Sequence, residues 1–126
     1  MLSRDSVTYN QMVVDLATDP EQVDRLFHAL ADATRRDIVT QTLREERSVS
    51  ALARLYPMSF AAVQKHVAVL EGAHLVTKRR RGREQLVTGN VDTLRTASLL
   101  LDQAAAVWQS RVDRMSELLA DEPGKG

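Results

Sequence analysis

Five of the six residues from Lys78 to Arg83 are cations: Lys78, Arg79, Arg80, Arg81 and Arg83, interrupted only by Gly82. Like charges packed this closely repel one another, and on a hairpin such pairs directly opposite each other are destabilising. A polyanion relieves that repulsion. The plainer reading is a solvated strand edge that charge keeps from aggregating. One or two cations fit that role, whereas five point to nucleic acid. Just upstream lies a stretch that fits a groove-reading helix. Val63, Val67 and Leu70 share one apolar stripe, and Ala61, Ala62, Gln64, Lys65 and Ala68 share the opposite side. Small alanines let a backbone approach a groove and touch a thymine methyl. Gln64 suits an adenine edge, and Lys65 suits a guanine or a phosphate. Ser59, at the head of this helix, offers a hydroxyl and free backbone N–H groups to a phosphate. His66 fits either packing or a phosphate contact. An ordinary amphipathic helix with a solvated outer face is the competing explanation.

The elements that must position these groups follow from spacing and punctuation. Tyr9, Met12, Val13 and Leu16 form one helical face, with Asp5 or Ser6 as its cap. Asp19 caps a second helix, with Pro20 at its first position and Gln22 placed for a capping box. Val23, Leu26, Phe27 and Leu30 are its apolar face. Asp32 caps a third, from Ala33 to about Leu43, predicted to bury Ile38, Val39 and Leu43. Ser48 opens a short helix carrying Leu52 and Leu55, stopped by Pro57. Ser59 caps the helix from Phe60 to about Gly72. Leu75 to Arg80 and Arg83 to Thr88 read as strands, joined through Arg81-Gly82. Asn90 caps a closing helix to about Ala120, and the Pro- and Gly-containing tail after it is expected to fray. This order predicts a mainly α fold with a β-hairpin, a winged helix-turn-helix dimeric through its terminal helices. Residues 1–18 form an N-terminal dimerisation helix, 19–90 the DNA-binding domain, 91–120 a C-terminal dimerisation helix and 121–126 a flexible tail.

The dimer expectation rests mainly on the closing helix. Leu101, Ala105, Trp108, Val112, Met115 and Leu119 recur at spacings of four and three, as in a coiled-coil seam. A helix of about 40 Å outruns a small core, so the excess stripe asks for a second copy. Tyr9 and Met12 are expected to add to that interface, and Leu99 and Leu100 to turn toward the protomer's own core.

Composition narrows the chemistry further. The chain has 126 residues, one domain's worth, with 44% hydrophobic and 27% charged residues. There is no cysteine, which excludes disulfides and thiolate metal sites. Net charge is zero, with 17 basic and 17 acidic residues. From Ser59 to Gln85, however, six cations meet two carboxylates, a local charge of +4 that leaves −4 elsewhere. A basic patch on a neutral chain is the footprint of a polyanion site. No signal peptide or membrane-length apolar run is read, so a cytoplasmic location and no membrane partner are expected. His28, His66 and His74 show no ligand spacing, and no nucleophile–base pair or phosphate loop is found. Neither metal, cofactor nor catalysis is expected.

Four segments, in order, resemble the ArsR/SmtB family of bacterial winged-helix repressors. Ala29 to Ile38, reading ALADATRRDI, is similar to the family's LADPTRRxIL segment. Ser48 to Ala53, SVSALA, is similar to SVSELA. Met58 to Glu71, MSFAAVQKHVAVLE, is similar to MSQPAVSKHLKVLE, and Leu75-Val76 with the Arg-Gly-Arg wing is similar to LVxxRREGR. The resemblance implies repression by a homodimer on an inverted-repeat operator in double-stranded DNA. It also implies a reading helix that includes Ser59, Gln64, Lys65 and His66, and a wing that includes Arg81 and Arg83; Lys78 and Arg79 adjoin it. Two departures matter. Ser48-Val49-Ser50 stands where metal-sensing members carry Cys-Val-Cys, and Val91 to Ala120 holds no histidine. His74 replaces the family's usual C-cap glycine and would adopt the left-handed region. An effector-gated sensor with a ligand at the dimer interface, and a winged-helix protein-interaction module, are the alternative functions.

Overall fold

The computed structural model describes residues 19–120. Residues 1–18, with Tyr9 and Met12, and residues 121–126 lie outside that range. Asp19 Oδ1 accepts the Glu21 N–H at 3.0 Å and starts α1, Pro20–Leu30. Gln22 does not close the capping box, because its Oε1 is buried without a partner. Asp32 Oδ2 accepts the Arg35 N–H at 2.9 Å and starts α2, Ala33–Arg44. A two-residue strand, β1 (Arg47–Ser48), precedes α3, Val49–Ala53. Then come α4, Phe60–Gly72; β2, Val76–Arg81; β3, Glu84–Gly89; and α5, Val91–Ala120. The sheet is antiparallel throughout, in the order β1-β3-β2. No described helix is long and apolar enough to cross a membrane.

One core joins these elements. Leu26 and Ala29 of α1, Ile38 and Val39 of α2, Leu52 of α3, and Val63, Val67 and Leu70 of α4 meet Leu75, Val76, Val87 and Ala97. The helix α3, its turn and α4 form the helix-turn-helix, and β2–β3 form the wing. Two arginines fix the α1–α2 corner. Arg35 donates from Nε to Ala29 O (2.9 Å) and from Nη2 to His28 O (3.0 Å), while Arg36 Nη1 donates to Leu30 O (2.8 Å). These carbonyls end α1; the Ala31 N–H reaches only His28 O, at 3.1 Å, and side chains of the next helix supply the further donors.

The structure corrects several sequence expectations. Leu43 is 39% exposed rather than buried. It lies over Gly89, where an added Cβ would come within 2.7 Å of Leu43 Cγ, so the glycine is what lets β3 pass α2. Leu55 falls beyond the end of α3 and is exposed. The hairpin turn is Gly82-Arg83, one residue later than the spacing suggested. Gly82 has φ +63° and takes the first central position, which glycine occupies in a type II′ turn. β1 carries no strand signature; it exists because two residues between helices fall beside β3.

The C-terminus of α4 is the fold's second corner. Leu75 N–H donates to Leu70 O (2.9 Å) and His74 N–H to Glu71 O (3.0 Å), the paired bonds of a Schellman motif. His74 stands at the left-handed position with φ 62°. Its carbonyl accepts the Thr93 hydroxyl at 2.6 Å, and Leu75 O accepts the Asn90 N–H at 2.9 Å, so α5 starts from this corner. A side chain with a Cβ is strained there and glycine is not. His74→Gly is expected to stabilise the fold by about 0.5–1 kcal/mol, read as a higher urea midpoint with an unchanged slope. An unchanged or lower midpoint would mean that the imidazole supports this corner.

Candidate nucleic-acid interface

Ser59 Oγ accepts the Ala62 N–H at 3.1 Å and sets the first turn of α4. Val63, Val67 and Leu70 are buried beneath it. Ala61, Gln64, Lys65 and Ala68 are exposed, and Ala62 is half-buried at the stripe's border. At 3.6 residues per turn, Gln64 and Ala68 run down the middle of the exposed stripe. Phe60 flanks them on one side, Ala61 and Lys65 on the other. His66 is half-buried and turned toward the α1–α2 corner, its Nδ1 lying 3.3 Å from Arg35 Nη1. Arginine can only donate, so Nδ1 is the acceptor side of that contact. Asp32 Oδ2, at 3.9 Å from the same nitrogen, is beyond hydrogen-bond reach. Its own carboxyl is held below the usual range, chiefly by the Arg35 N–H. The turn before α4 is tied down as well. Tyr56 Oη donates to Asp37 Oδ2 at 2.6 Å, and burial with this bond raises its phenol above the ordinary value.

On the wing, side chains alternate between faces, so Arg79 and Arg81 share one face and Lys78 and Arg80 the other. The cross-strand repulsion expected from five clustered cations is absent from the register. Arg81 faces Glu84, Arg80 faces Gln85, Arg79 faces Leu86 and Lys78 faces Val87. Two cations are also matched from outside the hairpin. Arg79 donates from Nε and Nη2 to Glu46 at 3.0 and 2.7 Å, and Thr88 Oγ1 donates to Glu46 Oε2 at 2.9 Å. The Arg79 guanidinium, then the Thr88 hydroxyl, hold the Glu46 carboxyl below its ordinary value of 4.5. Lys78 Nζ lies 3.3 Å from Glu71 Oε1, linking the wing to α4. Arg80 Nε donates to Gly82 O at 3.2 Å. Among the described residues Lys65, Arg80, Arg81 and Arg83 have no carboxylate within ion-pair distance. The exposed stripe of α4 thus keeps Lys65, and the wing Arg80, Arg81 and Arg83, without a carboxylate partner.

The seam of α5 stands clear of the protomer. Leu101, Ala105, Trp108, Met115 and Leu119 are exposed, Trp108 at 66%, and Val112 is half-buried. Leu100 packs on the core as expected; Leu99 does not and is exposed. Among the described residues no three His, Asp or Glu side chains converge in a way that could hold a metal ion.

This arrangement recurs in known proteins. The HTH-type transcriptional regulator Rv2034 of Mycobacterium tuberculosis is 43% identical over 63 residues, which are 50% of this chain. The match takes in 59% of Rv2034, so the chain spans about three fifths of that relative's length. The uncharacterized HTH-type transcriptional regulator YuzN of Bacillus subtilis is 36% identical over 81 residues, covering 57% of this chain and 86% of YuzN. An ArsR-like transcriptional regulator from Rhodococcus sp. RHA1 superposes with a TM-score of 0.74 at 28% identity, over 82% of this chain and 94% of that one. This chain belongs to the ArsR family of transcriptional regulators. A further solved structure, the homodimeric winged helix-turn-helix DNA-binding domain Mb0332 of Mycobacterium bovis, has a TM-score of 0.59 at 28% identity, over 71% of this chain and 84% of that one. No family model matches the chain.

In this ArsR-type chain Ser48 has structural work: its Oγ accepts the Ala51 N–H at 3.0 Å and starts α3. Sequence reasoning left out Glu46, Arg35 and Phe60, and counted Arg80 among the wing cations without giving it a place in the site. Glu46 and Arg35 act across 33 and 31 residues of chain, a separation that no local spacing encodes. Phe60 sits three residues before Val63, so periodicity alone would place it inside.

Glu46→Ala is expected to speed amide exchange in residues 79–81 and to leave Val63–Val67 of α4 unchanged. Because the bound carboxyl is lowered, the clamp is whole above pH 4.5 and is lost only as pH falls through the lowered value. Equal exchange in both proteins would show that the strand ladder alone holds the wing.

Proposed function

We propose that this ArsR-family protein is a transcriptional repressor that binds an inverted-repeat operator as a homodimer. The observation that carries the reading is the exposed stripe of α4, with Lys65 on it, joined through the Lys78–Glu71 pair to a wing whose Arg80, Arg81 and Arg83 no carboxylate matches. Gln64 suits an adenine edge in the major groove, and Ala61 and Ala62 let the backbone come close. Ser59, Lys65, Arg81 and Arg83 suit phosphates, which position the protein without reading sequence. Lys78 and Arg79 belong to the same surface but reach DNA already paired with Glu71 and Glu46, and His66 supports α4 from behind.

The second copy is supported by the bare seam of α5. A helix carrying Leu101, Trp108, Met115 and Leu119 in water forfeits the burial that those side chains offer. Mb0332 is homodimeric, and a two-fold pair sets two reading helices about one DNA turn apart. The domain roles follow: 19–90 reads DNA, while 91–120 and the region before residue 19 join the protomers.

Fluorescence anisotropy against DNA from upstream of the protein's own gene, with scrambled DNA as control, tests the reading. If the dimer meets roughly 6–10 phosphates, affinity falls by about 10³–10⁵ between 50 and 200 mM salt. Arg81→Ala is expected to weaken all sequences alike and to flatten the salt slope, whereas Gln64→Ala costs about 1–3 kcal/mol at one base position per half-site. No binding to either DNA at low salt would refute it. For the dimer, Trp108→Glu is expected to turn a two-copy species into monomer in sedimentation at micromolar concentration; a monomeric parent protein would refute that half.

A further inference from the structure

We propose that Phe60 selects a thymine in each operator half-site by packing against its C5-methyl group. The inference rests on the DNA-binding reading above and adds to it a base and a side chain. Phe60 is the first residue of α4 and is 46% exposed. Tyr56 and Met58, just before it, pack against the core; Phe60 is not among the side chains that do. Its ring thus leaves nearly half of its surface to solvent at the head of the reading helix.

Position and surroundings say what the ring meets. Helical side chains lean toward the N-terminus, so Phe60 projects ahead of the first turn. The leading residues of a reading helix are the ones that reach base edges. Phe60 is one turn before Gln64 and at the head of the same exposed stripe as Ala68. A phenyl ring has no donor or acceptor, so it reads neither phosphates nor polar edges. Among the major-groove edges, thymine alone presents a methyl group. Burying ring and methyl together removes apolar surface of both from water. An apolar protein partner would also cover the ring. The charge argues otherwise: the chain from Phe60 to Leu70 holds no carboxylate and carries Lys65, and the cationic wing is tied to the far end of the same helix through Lys78 and Glu71.

The full-length protein would first select a site from random duplex DNA. Each thymine of that site would then be replaced singly by uracil, which removes the methyl and leaves every hydrogen-bonding group in place. Uracil at one position per half-site is expected to weaken binding about fourfold, the loss of roughly one buried methyl group. Phe60→Ala should bind thymine and uracil alike at that position, Phe60→Leu should keep part of the discrimination, and Gln64→Ala should keep it whole. Equal binding of thymine and uracil throughout, or discrimination undiminished in Phe60→Ala, overturns the role of Phe60 with DNA binding intact. Failure to enrich any sequence overturns the DNA-binding reading itself, and the inference falls with it.

Discussion

The Arg35 guanidinium closes one helix and steadies another. Its Nε and Nη2 take the carbonyls that end α1, and its Nη1 reaches His66 on α4. The Asp32 carboxylate, capping the same turn, accepts the Arg35 N–H. A helix end without partners is costly, and here Arg35 meets two of its carbonyls, with Arg36 on a third, while also reaching α4. The position of the exposed stripe is thus inherited from a corner some thirty residues earlier in the chain. Tyr56, bonded to Asp37, holds the approach to α4 to the same helix, so the site has two anchors on α2.

Charge on the wing is sorted rather than simply accumulated. Exposed ion pairs add little stability as a rule, but a bidentate arginine–carboxylate pair has defined geometry. Glu46 uses that geometry to bind Arg79 and Thr88, on the two strands of the hairpin, from a loop outside it. Glu71 of α4 meets Lys78 through one oxygen at 3.3 Å. Two carboxylates therefore hold the wing against the helical body, and Arg80, Arg81 and Arg83 stay open for an anion. The register completes the arrangement by setting Glu84, rather than another cation, opposite Arg81.

Much of this was legible in the residues. Asp19, Asp32, Ser48 and Ser59 cap helices because a short side-chain oxygen reaches an N–H two or three residues on, a purely local requirement. The stripe of Val63, Val67 and Leu70 and the left-handed His74 are local in the same sense. The failures share a different cause. Leu43 is set by the missing Cβ of Gly89, β1 by the passage of β3, and the two matched wing cations by Glu46 and Glu71. Each depends on a neighbour brought close only by the tertiary fold. Phe60 is the reverse case: its spacing fits an apolar face, yet at the head of α4 it is left half exposed.

The last feature is the length of α5. After Leu100 it extends for twenty residues, of which only Val112 is even half-buried. An isolated helix of that length is marginal in water, so its distal turns hold their shape only as firmly as whatever covers them. With a second copy as the cover, folding of the arm becomes a bimolecular event, and its order depends on the number of molecules in the cell. A scarce regulator would carry frayed, protease-sensitive arms, while an abundant one would carry closed ones. Abundance would then govern lifetime and occupancy together, making copy number itself a signal that this chain registers.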